Sequence, residues 1–137
     1  MNDLIIRYAE NKDYQWLKEH DIYISDEVLK FKIDLKEIYV VQADNKLIGW
    51  LRYNLFWDSI PFMNMIFFQE KYRGKGIGKK LAGYWEKEMK EKGYKNVLTS
   101  TLSNEEAQHF YRKIGYKEIG GFNYLDAPLE IMFHKKI

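Results

Sequence analysis

One glycine-rich segment constrains the fold of this chain more than any other feature. This segment, the glycine loop, runs from Arg73 to Gly78 and reads Arg-Gly-Lys-Gly-Ile-Gly. The stretch Phe62 to Phe68 before it is almost wholly apolar and predicts a buried central strand. After it, apolar residues recur every four positions and predict an amphipathic helix, the set being Ile77, Leu81, Trp85 and Met89. A loop between a strand and a helix start can direct backbone N–H groups toward a phosphate.

Two common nucleotide-binding motifs do not fit the glycine loop. A Walker A motif needs Gly-Lys followed by Ser or Thr, whereas Gly78-Lys79 is followed by Lys80. The dinucleotide fingerprint also fails, because the third glycine comes one residue early. Basic residues cluster around the loop, and lysines at a helix start oppose the helix dipole unless an anion compensates. The loop is therefore either an anion site or a tight turn before a solvated basic helix.

The rest of the pattern predicts one mixed α/β domain over residues 1–137, with a single layer of sheet and helices packed on it. The predicted order is strand, two helices, three strands, helix, strand, helix and two strands. A Ser-x-x-Glu capping box at Ser103–Glu106 predicts the last helix start, and Gly115 its end. The predicted strands are residues 5–9, 38–41, 47–57, 62–68, 96–102, 116–119 and 129–133, with a break at residues 58–61.

Composition excludes several function classes. The 137 residues contain no cysteine, which removes disulfides, thiolate metal sites and cysteine nucleophiles and fits a reducing cytoplasm. The net charge of +2 is too small to indicate nucleic-acid binding. No apolar run approaches the ~18 residues of a membrane helix, and Met1–Arg7 does not read as a secretory signal. The histidines are scattered without metal-ligand spacing, so we expect no metal site, the three being His20, His109 and His134.

Two segments together resemble the GNAT superfamily of acetyl-CoA-dependent N-acetyltransferases. The first is Arg73-x-x-Gly76-x-Gly78 in the glycine loop. The second, about thirty residues further on, consists of Asn104, Ala107, Tyr111 and Gly115-Tyr116. The resemblance spans about residues 62–116. It implies a GNAT-like single domain with about seven strands and about four helices packed on the sheet.

The resemblance also implies which residues hold acetyl-CoA. The strand before the loop would bind the pantetheine arm through the backbone of Ile66 and Phe68. Asn104 in the matching position would contact the cofactor, or would cap the following helix beside Ser103. Backbone N–H groups of the glycine loop would bind the pyrophosphate, with Lys79 or Lys80 near phosphate oxygens. The implied cofactor-binding set here is Arg73, Gly74, Lys75, Gly76, Ile77, Gly78 and Lys79.

Tyr111 is the implied catalytic residue. In acyl transfer by direct attack of an amine, a positioned acid can protonate the departing CoA thiolate. A phenol with a reference pKa of about 10 stays protonated at neutral pH and can serve as that acid. Read without the resemblance, Tyr111 is one more aromatic on a helix stripe with Phe110 and Ile114.

The general base of many relatives is missing. Aligned on the glycine loop, Phe62 stands where those relatives carry a Glu near the start of the strand, and Asn64 is no base at neutral pH. Other carboxylates near in sequence are Asp58, Glu70 and Glu130. Five aromatic residues line either an acceptor cleft or the core, namely Trp50, Tyr53, Trp57, Phe122 and Tyr124.

The sequence thus predicts an N-acetyltransferase that acts on an amine of a small molecule or a protein, as a monomer or homodimer. A catalytically inactive CoA-binding sensor or partner-binding module is the alternative. A nucleic-acid binder that uses the basic loop is least favoured.

Overall fold

The computed structural model describes residues 4–137, which form seven strands and four α-helices in the predicted order, with short 3-10 turns at Asn11–Asp13 and Glu70–Tyr72. The first three residues of the Met1–Arg7 segment lie outside the described part. The strands are β1 Leu4–Tyr8, β2 Ile38–Ala43, β3 Lys46–Phe56, β4 Ile60–Phe68, β5 Asn96–Leu102, β6 Lys117–Phe122 and β7 Glu130–Lys136. The helices are α1 Tyr14–His20, α2 Asp26–Asp34, α3 Ile77–Glu91 and α4 Ala107–Lys113.

The strands form one mixed sheet in the order β1-β2-β3-β4-β5-β7-β6. Strands β4 and β5 run parallel, joined through α3, whereas β1–β2, β2–β3, β5–β7 and β6–β7 are antiparallel. The parallel register pairs Phe62 with Leu98 and Met63 with Thr99. The predicted mixed α/β fold is therefore confirmed.

The described chain packs as two compact units. The first takes in the described residues up to Tyr53 together with Met65–Tyr84. In it, α1 and α2 cover a core that includes Leu17, Leu29 and Trp50, with Met65 of β4 packed against it. A buried ion pair joins Arg52 to Asp21 at 2.8 Å, which ties the end of α1 to β3.

The second unit comprises Asn54–Asn64 and Trp85–Ile137. Its buried residues include Val97 and Leu98 of β5, Phe133 of β7, Trp85 of α3 and Tyr111 of α4. Gly115 adopts φ +99° after α4, a left-handed conformation that favours glycine, and ends the helix as predicted. The Tyr116 N–H then donates to the Tyr111 carbonyl at 3.0 Å.

Three local predictions were wrong. Ile60 and Pro61 do not belong to the predicted break between strands but begin β4, because proline is tolerated at a strand start. Central β4 is not buried on both faces, since Asn64 and Phe67 are exposed. The Ser103–Glu106 capping box does not form; instead the Glu105 carboxylate accepts from the Leu102 N–H, and α4 starts later, at Ala107.

None of the helices in residues 4–137 has the length and apolar character needed to cross a membrane.

Candidate functional site

The glycine loop is shaped by two left-handed glycines. Gly74 and Gly76 adopt φ of +73° and +80°, which residues with a Cβ rarely do. Helix α3 begins directly after them at Ile77, and the Lys80 N–H closes the first turn on the Gly76 carbonyl at 3.2 Å. The N–H groups of residues 77–79 precede that bond, so they have no carbonyl partner one turn back within the helix.

A diphosphate fits this cradle. No heavy atom lies within 4 Å of the place where a Cβ would stand on Gly74 or Gly76, so the backbone is open to a ligand. Arg73, Lys75 and Lys79 are exposed around it and supply positive charge. Together with the partial positive charge of the helix start, these groups suit an anion that carries several oxygens.

Arg73 anchors the loop to the end of β4. Its Nε donates to the Phe68 carbonyl at 2.7 Å, and its guanidinium lies 4.9 Å from the centroid of the Phe67 ring. The carbonyl of Phe68, one of the two predicted pantetheine-binding residues, therefore already accepts one hydrogen bond. The other predicted strand residue, Ile66, is half-buried in β4.

Gly49 of β3 was missed by the sequence analysis. A Cβ there would lie 2.5 Å from both the Phe67 carbonyl and the Phe68 ring, so only glycine lets β3 approach β4 so closely. The available signal was a lone glycine inside the apolar run of β3.

An open cavity of about 830 Å³ adjoins Arg73. The end of β4, the following 3-10 turn and the last turn of α1 line it, through Glu19, His20, Phe67, Gln69, Glu70, Lys71 and Arg73. One of the three carboxylates considered as a base, Glu70, thus belongs to this cavity.

Tyr111 lies in what we call the Tyr111 pocket, formed by Thr99, Tyr116 and Phe133 around the phenol. Tyr111 is 5% exposed, and its ring centroid lies 5.7 Å from that of Phe133 and 5.9 Å from that of Tyr116. Burial raises the pKa of Tyr111 above its usual value, a hydrogen bond with the Thr99 side chain opposes the rise, and the Glu105 and Glu130 charges add to it. The phenol therefore holds its proton at neutral pH.

A part-buried hydrogen-bond network lies beside the Tyr111 pocket. The Tyr116 hydroxyl donates to the Glu86 carboxylate at 2.8 Å, and Lys135 donates to the same carboxylate and to the Ile114 carbonyl, both at 2.8 Å. These bonds tie the end of α4 to α3 and β7. The sequence does not single out Thr99, Glu86 or Lys135, because nothing in their local pattern indicates long-range partners.

The remaining predicted residues are spread over the second unit. Asn104 is exposed in the turn between β5 and α4, and the predicted cap at this turn is not formed. Phe62 stacks on Phe56 at 5.9 Å, and Asn64 donates to Asn54 at 2.8 Å. The other two carboxylates considered as bases are an exposed Asp58 and a half-buried Glu130.

The five aromatics considered for an acceptor cleft divide between core and surface. Trp50 and Tyr53 are buried, whereas Trp57, Phe122 and Tyr124 are exposed. Within residues 4–137, no three His, Asp or Glu side chains are grouped so that they could hold a metal ion.

Parallel strands β4 and β5, joined through α3, define an α/β protein, and the glycine loop before α3 is of a kind that suits an anion. Residues 2–116 match the model of the acetyltransferase (GNAT) family. The chain belongs to this family, which confirms the resemblance drawn from its sequence. The comparison with curated proteins found no significant match.

Solved structures of similar fold agree with the family assignment. A GNAT-family acetyltransferase from Bacillus cereus ATCC 10987 is 25% identical, with a TM-score of 0.79 over 98% of each chain. Ard1 from Thermoplasma volcanium has a TM-score of 0.84 at 16% identity, over 98% of this chain and 97% of that one. A GNAT-family acetyltransferase from Elizabethkingia anophelis, solved with acetyl-CoA bound, has a TM-score of 0.76 at 18% identity over 100% of both chains.

Proposed function

We propose that this protein transfers an acetyl group from acetyl-CoA to an amine by direct attack of the amine on the thioester. The observation that carries the proposal is Tyr111, a buried phenol whose pKa is raised by that burial and which therefore keeps its proton at neutral pH. A protonated group at this position in a GNAT-family chain suits the general acid of thiol release.

Acetyl-CoA, when bound, supplies an activated thioester and a diphosphate handle. The backbone N–H groups of the glycine loop would hold the diphosphate, with Lys75 and Lys79 adding charge. The backbone of Ile66 and Phe68 would bind the pantetheine arm. Asn104, at the turn before α4, is proposed as a further cofactor contact.

The acceptor amine would lose its proton without a dedicated side chain. Strand β4 offers Phe62 and Asn64 where a carboxylate would act, and Asn64 is already hydrogen-bonded to Asn54. The amine would react through its neutral fraction or pass its proton to water. The proposed acceptor is an amine of a small molecule or of a protein. We propose a cytoplasmic, single-domain protein that acts as a monomer or homodimer, without nucleic-acid or membrane partners.

A CoA-binding sensor without turnover is the second candidate, and the missing strand carboxylate is the observation that favours it. Thiol release from acetyl-CoA, measured over a panel of amines, separates the two functions. Thiol release that depends on an added amine, with one acetylated amine formed per thiol, is the result expected of the enzyme. Tight 1:1 CoA binding in calorimetry with no turnover would leave the sensor, and no CoA binding at all would overturn both.

A further inference from the structure

Lys135, on β7, reaches over the turn that ends α4. Its Nζ donates to the Ile114 carbonyl at 2.8 Å. Carbonyl groups at a helix end lack partners within the helix, and a positive charge is favourable there. The stem of the lysine passes close to Gly115, since a Cβ on this glycine would lie 3.3 Å from the Lys135 Cε. The lysine thus holds the turn in place from a strand that is distant in sequence.

The carboxylate of Glu86, on α3, fixes this lysine and a tyrosine together. Its Oε1 accepts from the Lys135 Nζ and its Oε2 accepts from the Tyr116 hydroxyl, both at 2.8 Å. The Glu86 side chain is only 12% exposed, so its charge needs such partners. We call Glu86, Tyr116 and Lys135 the α4 clamp, because their bonds hold the turn on both sides of Gly115.

The α4 clamp is connected directly to Tyr111. The Tyr116 N–H donates to the Tyr111 carbonyl at 3.0 Å, and the centroids of the two rings lie 5.9 Å apart. Phe133 and Lys135 stand two residues apart on β7 and so share one face of the strand. Phe133 packs against the Tyr111 ring at 5.7 Å between centroids. One face of β7 therefore supports the ring of Tyr111 and also holds the turn that bonds its backbone.

The end of α4 needs to be held from outside. The helix has only seven residues, and a helix of this length is marginal without tertiary contacts. The turn after it depends on Gly115 at φ +99°, a residue type with unusual backbone freedom. Tyr111 lies two residues before the last residue of the helix, so a shift of the turn would also shift the phenol.

We infer that Lys135 is a positioning residue for acetyl transfer: through the α4 clamp it sets the backbone of Tyr111 and thereby the direction in which the phenol presents its proton. The inference rests on the proposed function. There the amine nitrogen bonds the acetyl carbon, the carbon–sulfur bond breaks, and the departing sulfur takes the electron pair and the Tyr111 proton. Tyr111 then regains a proton from solvent, which receives the one that the amine loses. Lys135 itself transfers no proton.

The charge of Lys135 matters as well as its two bonds. Glu86 and Lys135 carry opposite charges, so the α4 clamp has no net charge. A neutral clamp does not oppose the negative charge that the Tyr111 oxygen takes up when it gives its proton away. Without the lysine, the part-buried Glu86 carboxylate would be left uncompensated next to Tyr116 and its neighbour Tyr111.

The test compares Lys135→Met, which keeps an unbranched stem over Gly115 but removes the charge and both bonds, with Lys135→Arg, which keeps charge and donors. Thiol release is measured with saturating acetyl-CoA and amine, at a temperature where circular dichroism shows the variants folded. We expect Lys135→Met to lower kcat about ten- to a hundredfold, the loss expected of a misplaced reacting group. KM for acetyl-CoA should stay within about twofold, and Lys135→Arg should recover most of kcat.

A double-mutant cycle separates positioning from simple destabilisation. With Tyr111→Phe already present, Lys135→Met should lower the residual kcat by less than about twofold, because the proton it helps to place is gone. The free energy of unfolding, measured with urea, should instead fall by about the same amount in both backgrounds. If Lys135→Met does not fold, Glu86→Gln takes its place in the cycle. This variant keeps the shape and loses the charge, and kcat should fall about three- to tenfold.

Lys136→Met is the matched control. Lys136 is the next residue on β7, is exposed, and lies on the opposite face of the strand. This variant should keep kcat within about twofold.

Normal kcat in folded Lys135→Met, no recovery in Lys135→Arg, or an equal loss of kcat with and without the Tyr111 hydroxyl would each overturn the inference. All three results would leave the proposed function intact. An unmodified protein that releases no thiol with any amine would instead overturn the proposed function, and this inference with it.

Discussion

The glycine loop and the Tyr111 pocket differ in what they are made of and in how they meet solvent. In the loop, exposed backbone carries the geometry, and Gly74 and Gly76 hold left-handed conformations with open space around them. In the pocket, buried side chains from separate strands and helices carry it, and Tyr111 and Thr99 are almost wholly enclosed. A site built from backbone depends on which residue types can adopt the required φ and ψ angles. A site built from side chains depends on which residues the fold places next to one another.

Substitutions in the glycine loop and in the Tyr111 pocket should therefore change different measured quantities. A loop variant changes the fit of a ligand to the backbone, so binding should change first. A pocket variant changes the placement of one proton, so the chemical step should change first.

The largest expected effect is on the chemical step. Tyr111→Phe removes the proposed acid but keeps the ring that packs on Phe133 and Tyr116. We expect kcat for thiol release to fall by about 10²–10⁴ with CoA affinity unchanged, the usual contribution of a positioned general acid. Steady-state kinetics and calorimetry on the same preparation check this. A variant with normal kcat and a lowered melting temperature would assign Tyr111 to the core alone.

The next effect is on binding. Gly76→Ala places a methyl group on a left-handed residue, which strains the backbone, and narrows the approach of the diphosphate. We expect the Kd for CoA to rise about tenfold, equivalent to about 1.4 kcal/mol, with kcat at saturation nearly unchanged. Calorimetric titration with CoA measures the shift.

Gly83→Ala is the matched control for the loop. Gly83 lies in α3, also with open space at its Cβ position, but without a left-handed φ. This change should leave CoA affinity unchanged and stabilise the protein by about 0.5–1 kcal/mol, because alanine is the better helix former. Equal CoA affinity in both variants would mean that the loop is only a turn.

These two regions also show what could be predicted from sequence and what could not. The spacing of Arg73, Gly76 and Gly78 marked the loop, because a backbone conformation restricts residue type locally. The residue Tyr111 was marked by its place in a family pattern, but its partner Thr99 was not. Thr99 stands in a plain β-strand, and its neighbours on β4, β7 and α4 come from distant parts of the chain.

The limits of local patterns are clearest at the helix starts and strand ends. The Ser103–Glu106 box matched a capping signature, yet the Glu105 side chain formed the competing bond to the Leu102 N–H. A sequence signature names possible donors and acceptors but not which of two adjacent carboxylates is used. The predicted order of strands and helices was correct despite these local errors, because it depends on apolar periodicity over many residues.

A smaller effect is expected for the three candidate bases. Asp58→Asn, Glu70→Gln and Glu130→Gln should each lower kcat/KM by less than about tenfold, below the range of general-base removal. The reason is that none of the three stands on β4, the strand that leads to the glycine loop. The pH–rate profile should then keep rising toward the pKa of the acceptor amine. A hundredfold loss in one variant, with its neutral-pH limb abolished, would identify that carboxylate as the base.

The last prediction concerns the pH dependence of stability, which the Tyr111 pocket should affect and the glycine loop should not. Burial first, and then the Glu86 carboxylate, raise the pKa of Tyr116 far above its usual value. A tyrosine of this kind binds its proton more tightly when folded, so its stabilisation is fully present below the unfolded pKa of about 10. Above that pH the unfolded phenol loses its proton while the folded one keeps it. Stability is then lost as pH rises, by up to about 1.4 kcal/mol per pH unit for this one group.

Removing the Tyr116 phenol should therefore flatten the alkaline loss. Tyr116→Phe should be less stable than the parent near pH 8, by about 1.5–3 kcal/mol for a hydrogen bond to a charged group. The gap should narrow between pH 10 and 11, because the variant has no such phenol to ionise on unfolding. Urea unfolding at several pH values measures this difference in the free energy of unfolding. Tyr124→Phe, at an exposed tyrosine, and Gly76→Ala are the controls. Their difference from the parent in free energy of unfolding should stay constant with pH. A constant gap for Tyr116→Phe would mean that neither burial nor Glu86 raises the pKa of Tyr116 in the folded protein.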